Sequence, residues 1–382
     1  MDSIIGKEIL KMDTDSSGGG SSRRLMSVDA LRGFDMFWII NGDAPLVFAL
    51  AKATENEFLN KLLVQFDHVW WAGFRAWDLI MPLFLFIVGV VMPFSFSRRL
   101  ERGQSKGEIW RHIIKRVLIL WVLGMIAQGN LLEYNLDTLQ LYSNTLQSIA
   151  AGYLIASVFI LYLDIGWQMV ATAVLLLGFW VLMTIVPVPG HGAGMLMPEG
   201  NLAIYIDNII LGRFSDGYSY TWVLSSLGFG GTVMLGAMGG HLLRSKRRDA
   251  VKVLGLFAAG VGCLVVGELW GLLFPIIKHI WTSSMVLYAG GWSFLLLGLF
   301  YLVIDVWGFK KWAFFFVVIG MNAIAVYMAA HVFNFRLVGD VFVGGLERFC
   351  GNWYVFVREV AALAVVWLIL WWMYRKKTFI KI

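Results

Sequence analysis

The residues best suited to chemistry in this chain sit in one short string, His68-Val69-Trp70-Trp71-Ala72-Gly73. It is followed by Asp78-Leu79, Pro82 and Phe84-Leu85-Phe86-Ile87-Val88-Gly89. Imidazole has an unperturbed pKa of about 6.5, so His68 can take and return a proton near neutral pH. Trp70, Trp71 and Trp77 are the side chains that hold a segment at a membrane interface. A proton-transfer group at such an edge points to an intramembrane enzyme. Taken alone, His68 is better read as an interfacial histidine held by Asp67 or by the Trp residues. Asp78 directly precedes an apolar run and reads as the N-cap of that helix or as a group supporting the reacting residues.

Further polar residues recur inside apolar stretches. The first run opens with Ser27-Val28-Asp29-Ala30-Leu31-Arg32-Gly33. Ser27 suits a helix cap, and Asp29 and Arg32, three residues apart, share a face and can pair. That is an anchor, or it places Arg32 beside an anionic group such as a donor's phosphate. Asn41-Gly42-Asp43 lies about 13 to 17 Å beyond Arg32 at 1.5 Å per residue. Asn41 there is a helix-to-helix hydrogen bond or an amide donor to the oxygen of a reacting acyl group. Asn144-Thr145-Leu146-Gln147, then Lys278 with Trp281-Thr282-Ser283-Ser284, then Gly320-Met321-Asn322 and His331 form three more polar clusters, and Glu268 is another ionisable group in an apolar run. Each alone suits a structural role; together they fall on one side of the predicted bundle.

The elements that must carry these residues follow from composition. With 59% hydrophobic residues, 15% charged residues and 18 Trp in 382 residues, the chain is far too apolar for a soluble globule. At roughly 20 apolar residues per crossing, the chain reads as an all-α integral membrane protein, a bundle of about ten transmembrane helices. The runs lie near 33 to 51, 78 to 97, 112 to 129, 144 to 163, 168 to 187, 221 to 243, 250 to 274, 283 to 305, 312 to 333 and 355 to 374.

Lys and Arg accumulate on cytoplasmic flanks. One set of flanks holds Arg32, then Arg98, Arg99, Arg102, Arg111, Lys115 and Arg116, then Arg244 to Arg248, then Lys310 and Lys311, then Arg375 to Lys377. Segment 130 to 143 has neither Lys nor Arg, and 188 to 219 has only Arg213. Both termini are therefore expected in the cytoplasm. This topology accounts for the pI of about 9.2, so no nucleic-acid partner is inferred; the expected partner is the bilayer. Residues 1–22 read as a disordered cytoplasmic tail and 23–382 as a single polytopic domain. Excursions at 52 to 77, 188 to 220 and 334 to 354 all fall on the outer side, where function should collect. Cys263 and Cys350 make neither a disulfide framework nor a metal spacing.

Over roughly residues 26 to 335 these strings resemble the heparan-α-glucosaminide N-acetyltransferase family and its bacterial relatives, polytopic acetyl-CoA-dependent sugar acetyltransferases. The resemblance rests on Ser27-x-Asp29-x-x-Arg32-Gly33, Asn41, His68-x-x-Trp71-x-Gly73 with Asp78-Leu79 and Pro82, Thr145-Leu146-Gln147, Lys278-x-x-Trp281-Thr282, and Gly320-Met321-Asn322 followed by His331. The His68 block is its specific part. It implies acetyl-CoA as donor substrate entering from the cytoplasm and a sugar amine acetylated on the opposite side. It also implies His68 as catalytic histidine and Asn41 as its companion, in a membrane expected to be a bacterial inner membrane. Tyr218-Ser219-Tyr220-Thr221-Trp222 stands where many relatives have an Asp-Pro-containing motif, and the animal enzymes carry a leading helix and lumenal domain not seen here; both departures bear on the acceptor.

On this reading Arg32, Asp29, Arg98, Arg111, Arg116, Arg244 and Lys310 are the candidates for holding the donor. Asp43, Trp71, Asp78, Asn144, Gln147, Lys278, Trp281, Asn322 and His331 are those for the acceptor side. His68 acts as general base or as transient acetyl acceptor, and Asn41 stabilises the oxyanion. No metal is called for. A transporter of sugars or other small solutes whose outer polar clusters bind cargo, and a membrane scaffold, are the alternatives from other classes. Trp-rich spans suit lipid or a second copy, so a homodimer is left open.

Overall fold

The computed structural model describes residues 25–40, 45–217 and 220–380. Asn41, Asp43 and the tail 1–22 lie outside the described residues. Among those described the chain is helical throughout, with no strand and two isolated bridges, Ala72 to Ile277 and Val188 to Gly192. In chain order the α-helices are α1 Met26–Ile40, α2 Pro45–Thr54, α3 Glu57–Leu63, α4 Ile80–Glu101, α5 Lys106–Ala127, α6 Thr145–Tyr162, α7 Ile165–Ile185, α8 Leu202–Leu211, α9 Ser226–Arg244, α10 Asp249–Gly271, α11 Ser283–Phe300, α12 Ala313–Gly320, α13 Ala323–Val332, α14 Phe335–Val343, α15 Glu347–Cys350 and α16 Tyr354–Arg375.

All ten apolar runs fall largely on helix, yet ten crossings are not established by length and composition. Among the described residues six helices are long and apolar enough to cross a membrane, and eight if each of two bent pairs counts as one. The bent pairs are α1 with α2, at 66°, and α12 with α13, at 74°. The second break falls at Met321-Asn322, directly after Gly320, so the expected ninth span is two short helices. Two expected spans, α5 and α9, are neither among the six nor in the bent pairs. α5 carries Arg111, Lys115 and Arg116 in its first half, and α9 is rich in glycine.

α9 has that composition because it sits inside the bundle. A Cβ on Gly236 would lie 1.9 Å from the carbonyl oxygen of Phe86, and one on Gly89 would lie 1.9 Å from that of Val233. α4 and α9 therefore touch backbone to backbone, an approach only small residues permit. α1 and α12 do the same, since a Cβ on Gly33 would lie 1.7 Å from the carbonyl oxygen of Phe316. Phe86, Phe229, Met234, Val233 and Leu297 fill the core around these contacts.

Helix starts follow capping chemistry. Ser105 and Glu108 close a capping box at α5, Asn201 caps α8 and Asn144 caps α6. Ser27 does not cap α1 as expected. The helix begins one residue earlier, and the Ser27 backbone N–H donates to Asp305 Oδ2 at 3.1 Å.

Candidate functional site

Three segments build the site: 67–79 leading into α4, the loop 274–282 before α11, and residues 216, 217 and 220–222 before α9. The first two are joined by the Ala72 to Ile277 bridge and by Gly73 N–H donating to the Ile276 carbonyl at 2.8 Å. Gly73 turns at φ +126°, a conformation open to glycine and hardly to other residues. The third joins the second through Thr221 N–H donating to the His279 carbonyl at 2.9 Å. Hydroxyls then satisfy the backbone of the loop: Thr282 Oγ1 accepts from Ile277 N–H, and Ser284 Oγ donates to the Phe274 carbonyl.

Asp78 is the hinge of the arrangement. Its Oδ2 accepts Arg75 N–H at 3.1 Å and so closes the short 3₁₀ turn Ala76–Leu79. Its Oδ1 lies 2.7 Å from His68 Nδ1. Asp78 is therefore not the N-cap expected from the sequence: Arg75 is the N-cap of this turn, Asp78 is its third residue and reaches back to the Arg75 N–H, and Leu79 precedes α4 without a side-chain cap. Arg75 braces the same segment by donating to Asp67 Oδ2 at 3.3 Å and to the His68 carbonyl at 3.1 Å. A carboxylate only accepts, so this bond places a proton on Nδ1; in the neutral ring that leaves the lone pair on Nε2, the form in which imidazole is a base or nucleophile.

Lys278 completes the group. Its Nζ lies 3.4 Å from Asp78 Oδ1 and 3.3 Å from His68 Nδ1. Burial holds its pKa below the usual lysine value, against the opposing pull of Asp78. His68, Lys278, Trp77, Ile39, Gln128, Thr145 and Tyr220 are among the residues lining a cavity of about 700 Å³. That is within the range of small-molecule sites.

Several sequence candidates serve the frame instead of lining this cavity. Trp71 is buried, donates to the Leu196 carbonyl at 3.1 Å and stacks on His279 at 5.1 Å. Asn144 bridges Gln128 at 2.6 Å and the Tyr327 hydroxyl at 3.1 Å. Gln147 holds Ser143 N–H and the Leu141 carbonyl, Trp281 donates to Thr232, and Asn322 clasps Thr378 and Ile380 near the C-terminal end. His331 bonds to the Tyr327 carbonyl, outside the cavity.

His279 was not singled out from sequence. Its ring stacks against Trp71 and lies 4.3 Å from the Tyr220 ring, tying all three segments together. Burial, with Lys278 beside it, pushes its pKa down to about 4. Arg75, Gln128 and Asp216 were also missed, because nothing in their spacing connects them with His68.

A second pocket, of about 430 Å³, opens at the far end of α4 between the start of α1 and the end of α4. Asp29, Arg32, Arg98, Arg99, Arg102 and Gln104 line it. Asp29 and Arg32 pair at 3.7 Å, the spacing expected from three residues of helix. Four guanidinium groups around one hollow suit an anion with several phosphates. Of the other donor candidates, Arg244 pairs with Glu101 at 3.2 Å, Arg116 lies over the Tyr153 ring at 4.6 Å, and Arg111 and Lys310 do not line the pocket.

Two curated proteins match this pattern over most of the chain. Heparan-alpha-glucosaminide N-acetyltransferase of Mus musculus is 26% identical over 386 residues, and that of Homo sapiens 27% identical over 381, each match covering 83% of this chain. The chain is similar to these N-acetyltransferases. No family model matches it. The matched region spans about half of the relatives' length, 56% in each case. Both relatives are mammalian and lend no support to the bacterial inner membrane expected from the sequence.

Proposed function

We propose that this chain is a multi-pass membrane acetyltransferase. It takes the acetyl group of acetyl-CoA at the arginine pocket on the cytoplasmic side. It delivers that group, in the His68 cavity, to the amine of a terminal glucosamine-type sugar on the opposite side. The observation that carries this reading is His68 on the wall of the larger cavity, held at 2.7 Å by Asp78. The similarity to glucosaminide N-acetyltransferases supplies the reaction class. The arrangement of basic residues at one end and His68 at the other supports the sidedness, with both termini cytoplasmic.

In the direct route the sugar amine attacks the thioester carbonyl carbon while His68 Nε2 accepts the amine's proton. The C–S bond then breaks, and the proton passes to the departing sulfur as the thiol. Such general-base help is typically about 10²- to 10⁴-fold. In the two-step route Nε2 itself attacks the thioester carbonyl and the C–S bond breaks, releasing CoA thiolate; the amine then displaces the imidazole from the acetyl carbon, and the proton it loses balances the thiolate as the free thiol. Asp78 serves both by fixing the tautomer and stabilising positive charge on the ring. Asn41 is assigned as hydrogen-bond donor to the tetrahedral oxyanion, and a hydroxyl is a second acceptor the chemistry admits.

The test is purified protein with radiolabelled acetyl-CoA and a glucosamine-terminated oligosaccharide, comparing the parent with a folded His68→Ala variant. Label on the sugar with the parent alone is the expected result. Saturable CoA binding without transfer would mean the wrong acceptor. Uptake of a sugar into vesicles without any CoA binding would replace the enzyme with a transporter.

A further inference from the structure

Asp35 is a carboxyl in the wrong place for a helix that only packs. It lies in α1, its side chain is wholly buried, and neither of its oxygens has a hydrogen-bond partner among the described residues. Buried polar groups are nearly always paired, and an ionisable one in a membrane helix is costly unless it serves a ligand or pathway.

Its position on the helix says which pathway. Val28 and Arg32 line the arginine pocket, and Ile39 lines the His68 cavity. Residues 28, 32, 35 and 39 follow one another by four, three and four, so Asp35 shares their face of α1. It stands about 4.5 Å of helix rise beyond Arg32 and about 6 Å before Ile39. α4, packed against α1, repeats the pattern: Ile80 and Met81 line the His68 cavity, while Val91, Ser95 and Arg98 line the arginine pocket. The two hollows are therefore built on the same two helices, and Asp35 lies in the wall between them.

We propose that Asp35, placed between the arginine pocket and the His68 cavity, is the group that hydrogen-bonds the amide-bearing arm of the acyl donor. This rests on the acetyltransferase reading above. The arm of acetyl-CoA carries amide N–H groups that need acceptors when taken out of water, and Asp35 is an acceptor with nothing else to bind. The arginines would grip the phosphates, Asp35 the arm, and the thioester would emerge beside His68.

The test compares two ligands by calorimetry on the whole protein in detergent or nanodiscs: CoA, and adenosine 3′,5′-bisphosphate, which has no pantetheine arm. Asp35→Leu should weaken CoA binding about tenfold and leave the bisphosphate within about twofold. Asp35→Asn, which keeps a carbonyl acceptor, should recover part of the loss, and Arg98→Ala should weaken both ligands. The unfolding midpoint of ligand-free Asp35→Leu should equal or exceed the parent's, since an unpaired buried group has been removed. Equal losses for both ligands, no loss for CoA, or a lowered midpoint would make Asp35 a structural residue and overturn the proposal alone. A parent that binds neither ligand would overturn the acetyltransferase reading with it.

Discussion

Asp78 holds His68 with one oxygen and its own helix turn with the other: Oδ1 is 2.7 Å from His68 Nδ1, and Oδ2 accepts Arg75 N–H at 3.1 Å. The same carboxylate that closes the turn leading into α4 therefore holds the proton of the candidate base on Nδ1. Asp78→Asn keeps an acceptor for Arg75 but no longer fixes Nδ1–H. Acetyl transfer should fall by about 10²- to 10⁴-fold with KM for acetyl-CoA little changed. Steady-state kinetics beside thermal unfolding decides it; a matching loss of folded protein would reduce Asp78 to a cap.

His279 gives a pH signature. Its pKa in the folded protein is about 4, against the ordinary imidazole value of 6.5, so between those values the unfolded chain binds more protons. Its stabilising contribution is complete above pH 6.5 and is lost as pH falls toward 4. Asp207, which accepts Trp222 and Val223 N–H, is pushed by burial up to about 6 and works in the opposite sense, binding its proton more readily in the folded state below that pH. Unfolding midpoints of His279→Phe and the parent across this range should therefore diverge, the variant losing less on acidification. Parallel curves would contradict the buried neutral ring.

The arginine pocket makes a prediction about salt. Arg98→Ala or Arg102→Ala should raise KM for acetyl-CoA about tenfold at low ionic strength. The deficit should narrow in high salt, where screening has already weakened the parent. Lys246, an exposed basic residue of the same flank that does not line the pocket, is the comparison; Lys246→Ala should leave KM unchanged. Equal effects from both substitutions would point to general surface charge.

Backbone contact between α4 and α9 predicts a steep response to one methyl group. Gly236→Ala places a Cβ 1.9 Å from the Phe86 carbonyl oxygen, where backbone must move. A loss of about 1 to 3 kcal/mol is expected from overpacking. Gly178, in α7, has no neighbour within 4 Å of its virtual Cβ, and Gly178→Ala should instead be neutral or stabilising by up to about 1 kcal/mol. Midpoints in one detergent measure both, and a tolerated Gly236→Ala would mean the helices pack more loosely.

Sequence alone determined what local chemistry determines. Apolar runs long enough for a bilayer, basic flanks, the Asp29–Arg32 pair at helix spacing and the isolated imidazole of His68 all depend on neighbours within a few residues. So did the resemblance to glucosaminide N-acetyltransferases. The tertiary structure decided everything that needs distant segments to meet. Lys278 reaches Asp78 across 200 residues of chain. Trp281 and Asn322 proved to satisfy side-chain and backbone groups elsewhere in the bundle, on Thr232 and on Thr378 and Ile380. The breaks in the first and ninth runs depend on how neighbouring helices cross, which apolar content does not record. Asp35 shows the division best: a carboxyl in an apolar run is visible in the sequence, but only the fold leaves it unpaired between two cavities.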